Sequence, residues 1–130
     1  MSAAENKEII RKMGEAKSLD ATLGMMADDI RWTLIGNTIF SGTLNGKKEL
    51  LDKLFHPLFA QMESMGTGTT DNVIAEGEYV VVQTRGSGRR TKSGKDYNNT
   101  YCIVYRIVGG KVKEVTEYCD TELITAAFGK

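Results

Sequence analysis

Between Tyr97 and Thr121 the sequence reads YNNTYCIVYRIVGGKVKEVTEYCDT, two runs rich in β-branched and aromatic residues that meet at Gly109-Gly110. Adjacent glycines reach the positive φ angles of a tight reversing turn without steric cost, so the two runs should fold back on each other as an antiparallel hairpin. With the glycines as the turn, Val108 pairs with Lys111, and an unbroken ladder sets Tyr105 opposite Glu114, Tyr101 opposite Tyr118 and Asn99 opposite Asp120. Alternation then sorts the side chains into two faces. One face carries Asn99, Tyr101, Ile103, Tyr105, Ile107, Val112, Glu114, Thr116, Tyr118 and Asp120, an aromatic and aliphatic wall ending in an Asn/Asp pair. That pattern looks more like a pocket lining than a plain core face. The other face carries Thr100, Cys102, Val104, Arg106, Val108, Lys111, Lys113, Val115, Glu117 and Cys119.

The remainder of the 130 residues is what covers this hairpin, and a chain of that length buries about two-thirds of its unfolded surface, enough for one core and one domain over residues 1–130. Seventeen basic residues balance seventeen acidic ones, so no global field draws the chain to nucleic acid or to an anionic membrane. The opening MSAAENKEIIRK is charged where a signal peptide needs an apolar core, and no apolar run approaches the roughly 18 residues of a membrane span, which gives the expectation of a cytoplasmic protein. Cys102 and Cys119 share a hairpin face but are diagonally displaced. A disulfide fits that geometry, and the missing secretion signal favours free thiols instead. No paired Cys or His spacing of a metal site is present.

Ser2 and Glu5 form a capping box, and Ile9, Ile10, Met13 and Ala16 recur at helical spacing, which predicts a first helix over about 3–16. A second starts at Ser18 with the stripe Leu19, Leu23 and Met26, and Asp28-Asp29 mark its change into a strand over 30–35 whose Ile30, Trp32 and Leu34 share a face. Gly36-Asn37 turns the chain into a short strand over 38–41. Asn45 then caps a helix carrying Leu50, Leu51, Leu54, Leu58 and Met62, which Pro57 should kink or break because it lacks a backbone donor. After Met65 the pattern is all β: a run over 67–75, a turn at Glu76-Gly77, a run from Glu78 to about Arg90, a connection near Lys92 to Lys95, and the hairpin. Helices first and an antiparallel meander after them predict an α+β domain, a curved antiparallel sheet with N-terminal helices over its concave face.

Asp120 is the leading candidate for chemistry. An acid held against Tyr118 and Tyr101 loses hydration, which raises its pKa toward the range of a general acid or base, with Asn99 placed to hold a carbonyl. An equal alternative makes Asp120 the N-cap of a short C-terminal helix. Glu114 and Glu117 read as cross-strand partners of Lys and Arg. Trp32, Phe59 and Tyr79 fit either a core or a cavity wall, while Tyr101, Ile103 and Tyr105 belong to the hairpin face read as a pocket lining. His56, the single histidine, sits at the Pro57 bend and reads first as a helix-end polar residue. Arg85, Arg89, Arg90, Lys92 and Lys95 crowd around Gly86, Gly88 and Gly94, but Gly86-Ser87-Gly88 lacks a third glycine and a following helix N-terminus, so a solvated hairpin end is favoured over a phosphate site.

The order of two helices, DDIRWTLIG, a short strand, a helix and long strands carrying YNNTYC, GGKVKEVTEYCDT and LITAAFG resembles the nuclear transport factor 2-like superfamily, in its SnoaL-like and ketosteroid-isomerase-like branch. The resemblance implies a cone-shaped, cystatin-like roll with a deep apolar pocket, usually a homodimer through the sheet. It also implies a cofactor-independent acid/base isomerase or cyclase, acting on an apolar oxygenated small molecule through the aspartate at Asp120 with Asn99 and Tyr118 beside it. Trp32, Phe59, Tyr79, Tyr101, Ile103 and Tyr105 would then contact the ligand. The cyclases carry a histidine on the strand matching Tyr101 to Arg106, and this sequence has none there. Non-catalytic binding members of the superfamily supply the alternative: the same pocket without turnover.

Overall fold

The computed structural model describes residues 2–130. Helix α1 (Ala3–Gly14) starts on the capping box, the Ser2 hydroxyl accepting from the Glu5 N–H at 3.1 Å and the Glu5 carboxylate from the Ser2 N–H at 3.0 Å. Helix α2 (Leu19–Gly24) is capped by the Ser18 hydroxyl, which accepts the Ala21 N–H at 3.0 Å. It is shorter than its apolar stripe implied. Met26 does not extend it but opens strand β1 (Met26–Leu34), where pairing with Val112 buries the side chain in the sheet.

The strand expected over 38–41 does not form. Local side-chain bonds occupy that segment instead: the Ser41 hydroxyl donates to the Ile35 carbonyl at 2.8 Å and accepts the Thr38 N–H at 2.9 Å, an alternative to a ladder that Ser and Thr readily supply. The strand beside β1 comes later, as β2 (Gly42–Asn45). Next, α3 (Gly46–Leu50) and α4 (His56–Ala60) are joined by a π-helical turn over Leu51–Phe55. The His56 N–H bonds five residues back to the Leu51 carbonyl. Widening the ladder just ahead of Pro57 accommodates a residue that has no N–H to give and whose ring would clash with the preceding turn, so the chain stays helical through the proline instead of breaking.

The strands that follow are β3 (Met62–Ser64), β4 (Thr67–Glu76), β5 (Tyr79–Ser87), β6 (Arg90–Thr91), β7 (Thr100–Val108) and β8 (Lys111–Cys119), and helix α5 (Thr121–Phe128) closes the chain. Six of the eight described strands form a curved sheet in the order β2-β1-β8-β7-β5-β4, while β3 and β6 pair separately. Neighbours in the large sheet are antiparallel except β1 and β8, which run parallel and bring the first long strand against the last. This is an α+β architecture, a curved sheet with the N-terminal helices packed over its concave side. No helix among the described residues is long and apolar enough to cross a membrane.

The Gly109-Gly110 turn is formed, with φ of +58° and +81°, angles at which a side chain would be strained. The ladder above it departs from the unbroken register. Val108 pairs with Lys111 and Ile107 with Val112, but Arg106 then pairs with Glu114, leaving Lys113 as an extra residue. One such bulge reverses which face every later residue of β8 occupies. Tyr101 therefore faces Cys119 rather than Tyr118, Tyr105 faces Val115 rather than Glu114, and Cys102 faces Tyr118. The inward face becomes Val112, Val115, Glu117 and Cys119, while Glu114, Thr116 and Tyr118 turn outward. Burial agrees: Val112 and Val115 are fully buried, whereas Tyr118 is 46 % exposed. Cys102 and Cys119 consequently lie on opposite faces, both as half-buried free thiols.

Two apolar clusters hold the fold. The larger joins Ile10, Leu23, Ile30, Trp32, Leu50, Leu54, Val80, Tyr105, Val112 and Val115 beneath α1, α2 and α3. The smaller joins Leu34, Met62, Tyr97, Ile124 and Ala127 under α5, with Phe128 edge-on to Tyr97 at 4.8 Å and to Phe40 at 5.4 Å. Where the two clusters face each other across β1 and β8, they leave a space.

Candidate functional site

That space is a cavity of about 210 Å³. Strand β1 contributes Trp32 and Leu34, β7 Tyr101 and Ile103, α5 Ile124, and the loop before β7 Tyr97; Leu54, Phe55, Leu58 and Phe59 come from the π turn and α4. The extra residue in that turn widens the helix stripe, so that four apolar side chains face the space. Phe55 meets Trp32 edge-on at 5.4 Å and stacks on Phe59 at 5.7 Å. Phe59 and Met65 are partly exposed and form an apolar lip, and the half-buried Arg89 joins them there.

Polar atoms are few in this wall, which makes Glu117 its dominant chemical feature. The bulge at Lys113 turns it inward, and it sits in the wall with Trp32 and Tyr101. The Trp32 indole N–H donates to Glu117 Oε1 at 3.2 Å. Burial in apolar surroundings pushes the Glu117 carboxyl up to about 7, with the Trp32 bond acting in the opposite direction. At neutral pH such a group holds its proton about half of the time, the condition under which a carboxyl serves as base and as acid. Its charge is felt by its neighbours. Burial first, then Glu117, raises the Tyr105 hydroxyl, and burial followed by the Glu117 and Asp120 charges pushes the Cys119 thiol up to about 12, which keeps it protonated and unreactive. The hydroxyls of Tyr97 and Tyr101 are likewise raised, chiefly by burial, and remain proton donors.

Trp32, Phe59, Tyr101 and Ile103 line the cavity. Tyr105 lies beneath them in the larger core cluster, and Tyr79 is on the outward face of β5, 48 % exposed. Tyr118 also points outward, because the bulge reversed its face. Asp120 is exposed, and its Oδ1 accepts the Glu122 N–H at 3.1 Å, capping α5. Of its two sequence readings the structure places the side chain in the cap.

Asn99 is fully buried but absent from the cavity wall. Its Nδ2 donates to the Tyr97 hydroxyl at 3.1 Å and the Asp120 carbonyl at 3.0 Å, while Oδ1 accepts the N–H groups of Thr100 at 2.8 Å and Asp120 at 3.0 Å. One amide thus ties β7 to the start of α5 and steadies Tyr97 from behind. Asn99→Ala strands buried partners at both ends of this clamp, so urea unfolding should show a loss on the order of 3 kcal/mol. His56 is exposed on the helix, outside the cavity wall. Glu114 occupies the outward face with Arg31 at 3.1 Å and Arg106 at 3.6 Å, an ion-pair role that Glu117 does not share.

Sequence reasoning over an unbroken ladder missed Glu117. The available signal was the spacing of Val112 and Val115: three residues apart, they bury together only if the strand gains a residue between them.

The SnoaL-like domain family model matches residues 11–115. In three dimensions the chain is similar to an NTF2-like protein of unknown function from Burkholderia pseudomallei, at 22% identity over 97% of this chain and 98% of that chain, with a TM-score of 0.81. An NTF2-like protein from Burkholderia thailandensis shows 20% identity over 98% of this chain and 97% of that chain, at a TM-score of 0.81. TerC, co-crystallised with polyporic acid, shows 19% identity over 97% and 99%, at a TM-score of 0.79. No curated protein matches the chain in sequence.

Proposed function

Because this chain belongs to the SnoaL-like domain family, we propose that its cavity binds an apolar, oxygenated small molecule and moves a proton on it without a cofactor, with Glu117 as the general acid/base. The observation that carries this reading is the Glu117 carboxyl, half-buried in the wall beside Trp32 and Tyr101 and held by the Trp32 indole. A carboxyl left in such a place costs the fold stability, and groups with perturbed pKa values cluster where chemistry needs them. TerC, a protein of similar fold, was co-crystallised with polyporic acid, which supports a small organic molecule as the kind of ligand. At about 210 Å³ the space here suits one or two rings.

The test uses 1-tetralone, a two-ring ketone with exchangeable protons next to its carbonyl. Incubated in D2O with the protein, it should lose its α-proton NMR signals faster than in buffer alone and should alter Trp32 emission. Emission change without faster exchange would favour a binder lacking turnover. One observation favours that second reading: among the described residues Glu117 is the single carboxyl in the wall and no histidine joins it, so the proton has no relay.

A homodimer through the outer face of the sheet belongs to the same proposal. Ile74, Tyr79 and Tyr118 stand on that face at 60 %, 48 % and 46 % exposure, an apolar surface that a second copy would cover. Light scattering at micromolar concentration should give twice the 14.3 kDa chain mass, and Tyr118→Glu should shift it toward the monomer.

A further inference from the structure

We propose that Arg89 determines the specificity of this cavity, selecting a ring compound that carries an anionic oxygen and orienting it with that oxygen toward the lip. The inference rests on the reading of the cavity as a small-molecule site.

The chain has six arginines. Arg11, Arg31, Arg85, Arg90 and Arg106 are each ion-paired with a carboxylate. Arg89, among the described residues, has no acidic partner, although it is half-buried and lines an apolar cavity. A guanidinium is always charged, and a partly desolvated one without a counter-ion is a costly arrangement unless an anion completes it.

Its position is fixed rather than incidental. The Arg89 N–H donates to Asn98 Oδ1 at 3.0 Å, and the side-chain Nε donates to the Met65 carbonyl at 3.0 Å. Among the described residues neither terminal amino group of the guanidinium makes a bond, so the fork that matches a carboxylate in two parallel bonds is open to a ligand. The group also lies against Gly86: a Cβ there would stand 2.9 Å from Arg89 Cδ, 2.9 Å from Nε and 3.0 Å from Cζ. A residue without a side chain at position 86 provides the bed on which the guanidinium rests.

Arg89 is not the counter-ion of Glu117, since burial and the Trp32 bond account for the state of that carboxyl. Tyr101 lines the same wall as Glu117 and Arg89, and beyond the dominant effect of burial the two charges act on its hydroxyl in opposite directions. A ligand with one anionic oxygen is attracted by Arg89 and repelled by ionised Glu117. Only one orientation satisfies both, with the anionic oxygen at the lip and the remaining ring beside Trp32 and Glu117.

The probes are 2-naphthoate and its neutral counterpart 2-naphthamide, titrated calorimetrically against the protein. Naphthoate should bind about ten-fold more tightly or better, as a charge-assisted bidentate pair supplies. Arg89→Gln should lower naphthoate affinity to the amide level and leave amide affinity within a few-fold. Gly86→Ala, which keeps the charge but pushes the guanidinium off its bed, should also reduce the preference. Equal binding of the two compounds, or a preference that survives Arg89→Gln, would overturn the role of Arg89 while leaving the cavity as a ligand site. Binding of neither compound would overturn both.

Discussion

Glu117→Gln is expected to slow the exchange of 1-tetralone α-protons by roughly 100-fold or more, the scale of a single general acid/base, while Trp32 emission still reports ligand binding. Gln keeps the shape and keeps an acceptor for the Trp32 indole, so the loss isolates proton transfer from packing. In the unsubstituted protein the exchange rate should climb with pH and level off above an apparent pKa of about 7, because the unprotonated carboxylate is the base. The same substitution has an opposite effect on stability. Glu117 has a folded-state pKa raised above its ordinary 4.5, so between about 4.5 and 7 the native state holds more protons than the unfolded chain. Stability therefore falls as pH rises through that window, by a total on the order of 3 kcal/mol. Glu117→Gln removes this slope and should be the more stable protein at pH 8 in urea unfolding. A pH-independent stability difference between the two, or unchanged exchange in Glu117→Gln, would take Glu117 out of the mechanism.

Two single-residue deletions in β8 should have opposite consequences. Deleting Thr116 moves Glu117 into an outward position and Tyr118 into an inward one, ejecting the carboxyl and forcing a tyrosine into its place. A slip of one residue inverts a whole strand, and loss of 4 kcal/mol or more, or failure to fold, is the expected order of effect. Deleting Lys113 instead removes the bulge residue itself. Arg106 still pairs with Glu114 and Tyr105 with Val115, so Glu117 stays inward. The cost is chiefly the local twist, about 1–2 kcal/mol by the usual scale of single changes, with little added by the exposed ion pair of Lys113 with Asp29 and with tetralone exchange retained. Circular dichroism and urea unfolding read the first outcome, and the exchange assay reads the second. Equal damage from both deletions would mean that the bulge is not what sets the phase of the strand.

Much of the architecture is legible in the residues alone, because it depends on signals that act within a few positions. Ser2 and Glu5 announce α1, Gly109-Gly110 the hairpin turn, and the change from helical to alternating spacing the passage from helices to sheet. Local rules failed where a tertiary partner offered a better outcome than the local preference. Met26 left its helical stripe for a place against Val112, the hydroxyls of Thr38 and Ser41 replaced a ladder, and the helix through Pro57 survived by widening one turn.

The candidate site lies at the boundary between those two kinds of information. The sequence by itself determined that β7 presents Tyr101, Ile103 and Tyr105 on one face and that an apolar wall with acids nearby would result, since alternation along an unbulged strand is a property of the chain. Which acid enters the wall was decided only by the tertiary structure. The residue after Val112 had to be Lys113 unpaired, so that Val115 could bury against Trp32 and Tyr105, and that one insertion sent Glu117 inward and Tyr118 outward. A bulge costs little locally and is settled by the burial of residues far away in sequence, and so the identity of the inward carboxyl belongs to the packed sheet rather than to the strand that carries it.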